Sequence, residues 1–171
     1  VMSFIMVGTP LSMHEMHGHS LESTKWVIQS HIAAMFLPTF FTPFLTKILG
    51  VRKLTTLGLI LFCLASFVGF SDSSTISFWI HLVLLGLGWN FLFFSATTIL
   101  PQTYAPEHKF KAQTINDTVV LSFQAFAALS AGLALNYFGW KSMIVLCVIP
   151  IFLMIIVLFW ERGLKNKLNN I

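Results

Sequence analysis

Few side chains in this sequence can do chemistry, and their positions limit what that chemistry is. His31 lies five residues into the second of six long apolar runs, roughly 7.5 Å from the run's outer end at about 1.5 Å rise per residue. An imidazole at that depth can carry a proton, or it can hydrogen-bond a neighbouring helix. Asn90 sits in the middle of the fourth run, and helical steps place Gly86, Asn90, Phe94 and Thr97 on one face. An amide, a hydroxyl, a ring and a glycine together suit a cavity wall for an organic solute, or an interhelical hydrogen bond with ordinary aromatic packing. Gln124 shares a face with Asp117 and reads as an interface hydrogen-bonder. The segment MHEMHGHS holds His14, His17 and His19 beside Glu15, Met13 and Met16, donors that suit copper or zinc. An exposed loop with no groups to orient those donors is a poor metal site, so no metal is assigned. No HExxH, Gly-rich phosphate loop or Ser-His-Asp set is present, and Gly69-Phe70-Ser71-Asp72 reads as a turn. The expectation is therefore neither an enzyme nor a cofactor protein.

The elements that position these residues are set by composition. Of 171 residues only 9% are charged, against about 25% in soluble domains. Hydrophobic residues make up 56%, and the mean hydropathy is +0.82. A disordered tail, a coiled coil and a nucleic-acid module are excluded. The net charge of +4 fits basic membrane loops better than an anionic partner. Cys63 and Cys147 lie inside apolar runs, where a thiol behaves as a small hydrophobe.

Six runs are marked: 1–13, 26–48, 54–70, 76–100, 118–138 and 143–160. A bilayer core about 30 Å thick needs about 20 helical residues, so five runs span and the first is short, as for a truncated helix. Without water in the hydrocarbon, peptide groups must pair internally, and the runs lack the alternation of a membrane barrel, so helices are predicted throughout. No charged residue lies in the interior of a run, which leaves no carboxylate for ion coupling. Lys47, Arg52, Lys53, Lys109, Lys111, Arg162, Lys165 and Lys167 fall on one side and Lys25 and Lys141 on the other, which predicts a cytoplasmic C-terminus. Trp26, Trp79, Trp140 and Trp160 at run ends are expected to anchor at the headgroups. Pro38, Pro43 and Pro150 are expected to kink their helices.

Three stretches carry a resemblance: PFLTKILGVRK at 43–53, PQTYAPEHKFKAQ at 101–113 and AGLALNYFGWK at 131–141. In this order and spacing the chain resembles the C-terminal six-helix half of a major facilitator superfamily transporter. The signature loop of that family has a degenerate copy in its second half. Gly50, Arg52 and Lys53 match it, with Pro43 in place of the leading glycine and Lys47 in place of the aspartate. The stretch at 106–113 is similar to the loop between the tenth and eleventh helices, and Gly139-Trp140-Lys141 to the turn that opens the last helix.

The resemblance implies an all-α integral membrane protein, a single domain of residues 1–171, working with an absent N-terminal six-helix half. It further implies transport of a small solute by alternating access, with membrane lipid around the bundle and no nucleic-acid partner. The first and fourth runs would line the cavity, the second and fifth would pack on the other half, and the third and sixth would face lipid. Asn116 and Asp117, at the start of the fifth run, would cap that helix or close a cytoplasmic gate with Arg52 and Lys53. The basic tail and dense aromatics suit a bacterial inner membrane. The competing reading is a membrane scaffold that grips a partner through Ala127, Ala128, Ala131 and Gly132 on the fifth run.

Overall fold

The computed structural model describes the backbone of residues 1–168 and the side chains of residues 1–161, with no strand among the described residues. α1 (Met2–Leu11) continues through a π-helical turn, Ser12–Met16. α2 (Leu21–Phe36) passes through a 3-10 turn, Leu37–Phe40, into α3 (Thr42–Leu49). α4 (Val51–Ser71) and α5 (Thr75–Ile99) form an antiparallel pair. Short 3-10 turns at Leu100–Gln102 and Pro106–His108 lead into α6 (Lys109–Leu168), broken at Gly139 into arms 109–138 and 140–168. With α2–α3 as one bent element and the two arms of α6 counted separately, the described residues form six helices.

Local chemistry sets the boundaries. Ser20 accepts the Ser23 N–H at 3.1 Å, so α2 starts at Leu21 rather than at Trp26, and the polar turn before the apolar run is already helix. Ser74 caps α5 in the same way, at 3.2 Å to the Ser77 N–H. The helix expected from Thr118 begins at Lys109, because a polar sequence of good helix formers continues beyond the apolar run. Pro38 brings no N–H and Pro43 opens a new helix, so the second run is two helices bent by 59°. Gly139 has φ 74° and ψ 172°, a backbone that side chains with a Cβ avoid.

Val51–Ser71, Thr75–Gln102 and Pro106–Glu161 are each long and apolar enough to cross a membrane, and the bent α2–α3 pair makes a fourth candidate. The last of these holds both arms of α6.

The most extensive packing is between α4 and α5, where two glycines let the backbones touch. A Cβ on Gly58 would come within 3.1 Å of the Gly88 carbonyl oxygen, and one on Gly88 within 3.0 Å of the Gly58 oxygen. Around this contact a core of Ile5, Val27, Phe62, Phe78, Leu82 and Met143 joins all the long elements. By contrast, α3 buries only Thr42, and no residue between 109 and 130 is buried. Gly88→Val places methyl groups against backbone, which cannot give way as a side chain can. The expected outcome is a loss of about 1–3 kcal/mol, read as a lower unfolding midpoint in detergent.

Candidate functional site

Asn90 stands on α5 with 4% of its surface exposed, facing the bend of the second span. Its Nδ2 donates to the Met35 carbonyl and to Thr39 Oγ1, both at 2.8 Å. A carbonyl can only accept, so this pairing also fixes the orientation of the amide. On the other side Thr42 Oγ1 divides its one proton between the Pro38 carbonyl and Asn90 Oδ1, each at 2.8 Å. Gly86, one turn away, is equally enclosed: a Cβ there would meet the His31 carbonyl oxygen at 2.8 Å. Asn90 and Gly86 thus form the seam between α5 and α2–α3. Phe94 is half-buried, and Thr97 is exposed with its hydroxyl turned back to the Phe94 carbonyl at 3.0 Å.

The aromatic stack on α5 lies on a different stripe, with Phe93 exposed and Trp89 half-buried against the core. Trp89 and Phe93 stack with centroids 4.8 Å apart and planes at 14°, and Phe36 meets Trp89 edge-on at 6.2 Å. Trp89 continues the helical stripe of Phe78, Leu82 and Leu85, which are buried, whereas Phe93 at its far end is half exposed. Stacked rings with a free face suit a planar apolar group. The sequence signal was present as an i, i+4 aromatic pair, but the pattern of polar residues drew the reading to the adjacent face.

His31 is fully buried, and its Nδ1–H donates to the Leu82 carbonyl at 2.7 Å. His81, passed over in the sequence, repeats the device: its Nδ1–H donates to the Ala65 carbonyl at 2.6 Å. In both cases a glycine follows the accepting residue by four positions, Gly86 after Leu82 and Gly69 after Ala65. A Cβ at either glycine would crowd the imidazole, at 3.2 Å from His31 Nδ1 and 2.6 Å from His81 Nδ1. An imidazole thus reaches an already paired helical carbonyl only where the next turn has no side chain. The Nε2 of each ring is buried without a partner among the described residues. A histidine inside an apolar run, with glycine on the facing helix, is the signal that would have found His81.

The histidine-rich segment bonds to nearby backbone carbonyls and caps one end of the bundle. His14 donates to the His19 carbonyl at 3.0 Å and His17 to the Ser12 carbonyl at 2.8 Å. His19 donates through Nε2 to the Ser73 carbonyl at 2.7 Å and accepts from Thr75 at Nδ1, 3.1 Å away. No group of three His, Cys, Asp or Glu residues among the described residues is placed to hold a metal ion. His17 and His19 both lie edge-on to Phe78. Phe78 in turn packs on Trp140 at 4.9 Å. Trp140 is a correction to the anchoring expectation: it is buried, and its Nε1–H donates to the Gly69 carbonyl at 2.9 Å. The reversal at Gly139 turns the ring inward. Trp26, Trp79 and Trp160 are exposed.

The four residues assigned to a gate do not meet. Arg52 pairs with Glu161 at 2.6 Å, which ties the start of α4 to the end of α6. Asn116 and Asp117 lie within α6, not at its cap, and Asn116 donates to the Asp117 carboxylate at 3.0 Å. Gln124 is half-buried on the same helix. The small-residue face is also occupied, because Ala131 is buried and Gly132 lies next to Leu11 of α1. That leaves little of it for a scaffold's partner. Arg162, Lys165 and Lys167 lie outside the described side chains.

Comparisons with known proteins agree with this architecture. The family model described as Major Facilitator Superfamily matches residues 1–170. The riboflavin transporter RfnT of Brucella anthropi is 37% identical over 142 residues, covering 83% of this chain and 35% of that protein. Two uncharacterized MFS-type transporters of Bacillus subtilis also match: YdeG at 36% identity, covering 95% of this chain and 38% of that protein, and YddS at 31%, covering 98% and 39%. The chain thus spans little more than a third of the length of these curated relatives. No solved structure matches it at a significant level. An all-helical apolar chain matched from end to end by that model, and by relatives of the same kind, belongs to the major facilitator superfamily as an integral membrane protein.

Proposed function

We propose that this chain is the C-terminal six-helix half of a secondary active transporter that moves a small solute by alternating access. The family match over residues 1–170 carries the reading. The greater length of the relatives supports an N-terminal half of similar size as the partner, against which this bundle rocks. The relatives are bacterial, which supports a bacterial inner membrane, with the basic ends of α3–α4 and α5–α6 and the C-terminus on the cytoplasmic side. Lipid covers the outward faces of α4 and the second arm of α6.

The solute-facing residues in this reading are the exposed rings Phe36 and Phe93 with the half-buried Trp89 between them, and Thr97 further along α5. A flat ring system stacks on the exposed side of such rings, and the name of the Brucella relative puts a flavin first in any panel of solutes. Asn90 and Gly86 support that wall from behind. In this reading His31 carries the coupled proton on its Nε2, which has no partner among the described residues.

Two outcomes test this in cells making the full-length gene product. Uptake or efflux of a panel solute is expected, with Trp89→Ala raising KM by about two- to tenfold, the loss of about 0.5–1.5 kcal/mol of ring stacking. Absence of any transported solute, with the protein folded in the membrane, overturns the transporter reading. Separately, His31→Gln keeps a donor for the Leu82 carbonyl but cannot take up a proton. Uptake by that variant is expected to lose its dependence on external pH while KM holds. An unchanged pH profile removes the proton role from His31.

A further inference from the structure

α3 is an eight-residue arm between two breaks in the backbone. At one end is the Leu37–Phe40 turn with its 59° bend, and at the other Gly50 at φ 78°. The arm is lightly held: Phe44 and Ile48 are 65% and 64% exposed, and Thr42 is its one buried residue. Thr42 is also the residue that Asn90 grips from α5. The same amide grips Met35 and Thr39 on the far side of the bend. One side chain of a neighbouring helix therefore holds both arms of a broken span at a fixed angle. In an apolar surrounding no water replaces those bonds, so the angle is held for as long as Asn90 stays in place.

We propose that Asn90 is the latch of a gate: α3 pivots between the Pro38 turn and Gly50 during transport, and Asn90 fixes it in the bent position. This rests on the transporter reading above. Hinges are a few residues at the ends of elements that take up the change in backbone angle, and α3 has one at each end. The position of the latch also links it to the solute-facing rings. Trp89 is its neighbour in the chain, and Trp89 meets Phe36, the last residue of α2 before the pivot. A solute stacking on Phe93 bears, through the Trp89–Phe93 stack, on the turn of α5 that carries Asn90. Binding and release of the arm are thereby joined within one helical turn.

The test is a distance measurement in the full-length protein in lipid nanodiscs, with spin labels at Ile48 on α3 and Ile99 on α5 in a cysteine-free background. Asn90→Ala is expected to shift the distance distribution away from the wild-type position and to cut transport turnover by about tenfold or more, within the usual range of coupling between sites. Thr42→Val, which leaves both Nδ2 bonds intact, is expected to move the distances in the same direction. Thr42→Ser, which restores the hydroxyl, is expected to return them, a rescue that mere packing damage would not show. Folded Asn90→Ala or Thr42→Val protein with the wild-type distribution overturns the latch. Should Asn90→Ala fail to fold, Thr42→Val decides alone. Shifted distances with unchanged turnover overturn the gate role. A wild-type protein that moves no solute sinks the transporter reading, while the distances still report on the latch.

Discussion

A backbone amide or carbonyl in hydrocarbon has no water to turn to, and the rest of this structure follows from that constraint. Unbroken helix satisfies it at no further cost. Each interruption therefore needs a partner from elsewhere in the chain, and the buried polar side chains are found where the interruptions are. Asn90 supplies a donor to the Met35 carbonyl beside the Pro38 turn. Trp140, beside the reversal at Gly139, donates to the Gly69 carbonyl near the end of α4. The histidines of the cap donate to carbonyls of Ser12, His19 and Ser73, where α1 unwinds and where α4 turns into α5.

The two buried imidazoles show the converse: how a helix without a break can still be tied to its neighbour. A helical carbonyl has a second lone pair, and His31 and His81 use it. Access to that lone pair requires the following turn to be bare, which is why Gly86 and Gly69 stand where they do. The glycines of this bundle thus do two jobs. Gly58 and Gly88 bring α4 and α5 into backbone contact, a packing use, whereas Gly69 and Gly86 open a carbonyl to a side chain on another helix.

The helical membrane fold was legible in the sequence because it depends on long apolar runs, and the loop motifs around Gly50, Pro106 and Gly139 pointed to the family. The boundaries were less legible, since Ser20 and Lys109 begin helices in polar sequence that hydropathy does not register. The direction of individual side chains was least so. Asn90 and Gly86 were placed on the correct shared face, but a period of 3.6 says which residues lie together and not what they lie against. Trp140 was misplaced for a related reason. Tryptophan at a run end usually faces the headgroups, and the positive φ of Gly139 turns this one into the core. The cap expected at Asn116 and Asp117 was misplaced because the helix starts earlier than the apolar run, which moves both residues to its flank.

The distribution of ties has a mechanical consequence. His31, His81, Trp140, His17 and His19 all join elements in the half of the bundle nearest the histidine cap. Asn90 is the last of the buried interhelical side-chain bonds met on moving along α5 toward the basic end. Beyond it α4 and α5 stay packed through Leu54, Thr55 and Ser95, but α3 and the first part of α6 do not. The pair Arg52–Glu161 there is half exposed, and such surface ion pairs contribute about 0–1 kcal/mol. A bundle cross-tied at one end and loose at the other opens at the loose end. Under the proposed rocking motion, α3 and the 109–130 segment would move relative to the α4–α5 pair while the capped end keeps its hydrogen bonds. The polar groups that the hydrocarbon makes expensive are thus spent on rigidity where the chain must not move, and withheld where it must.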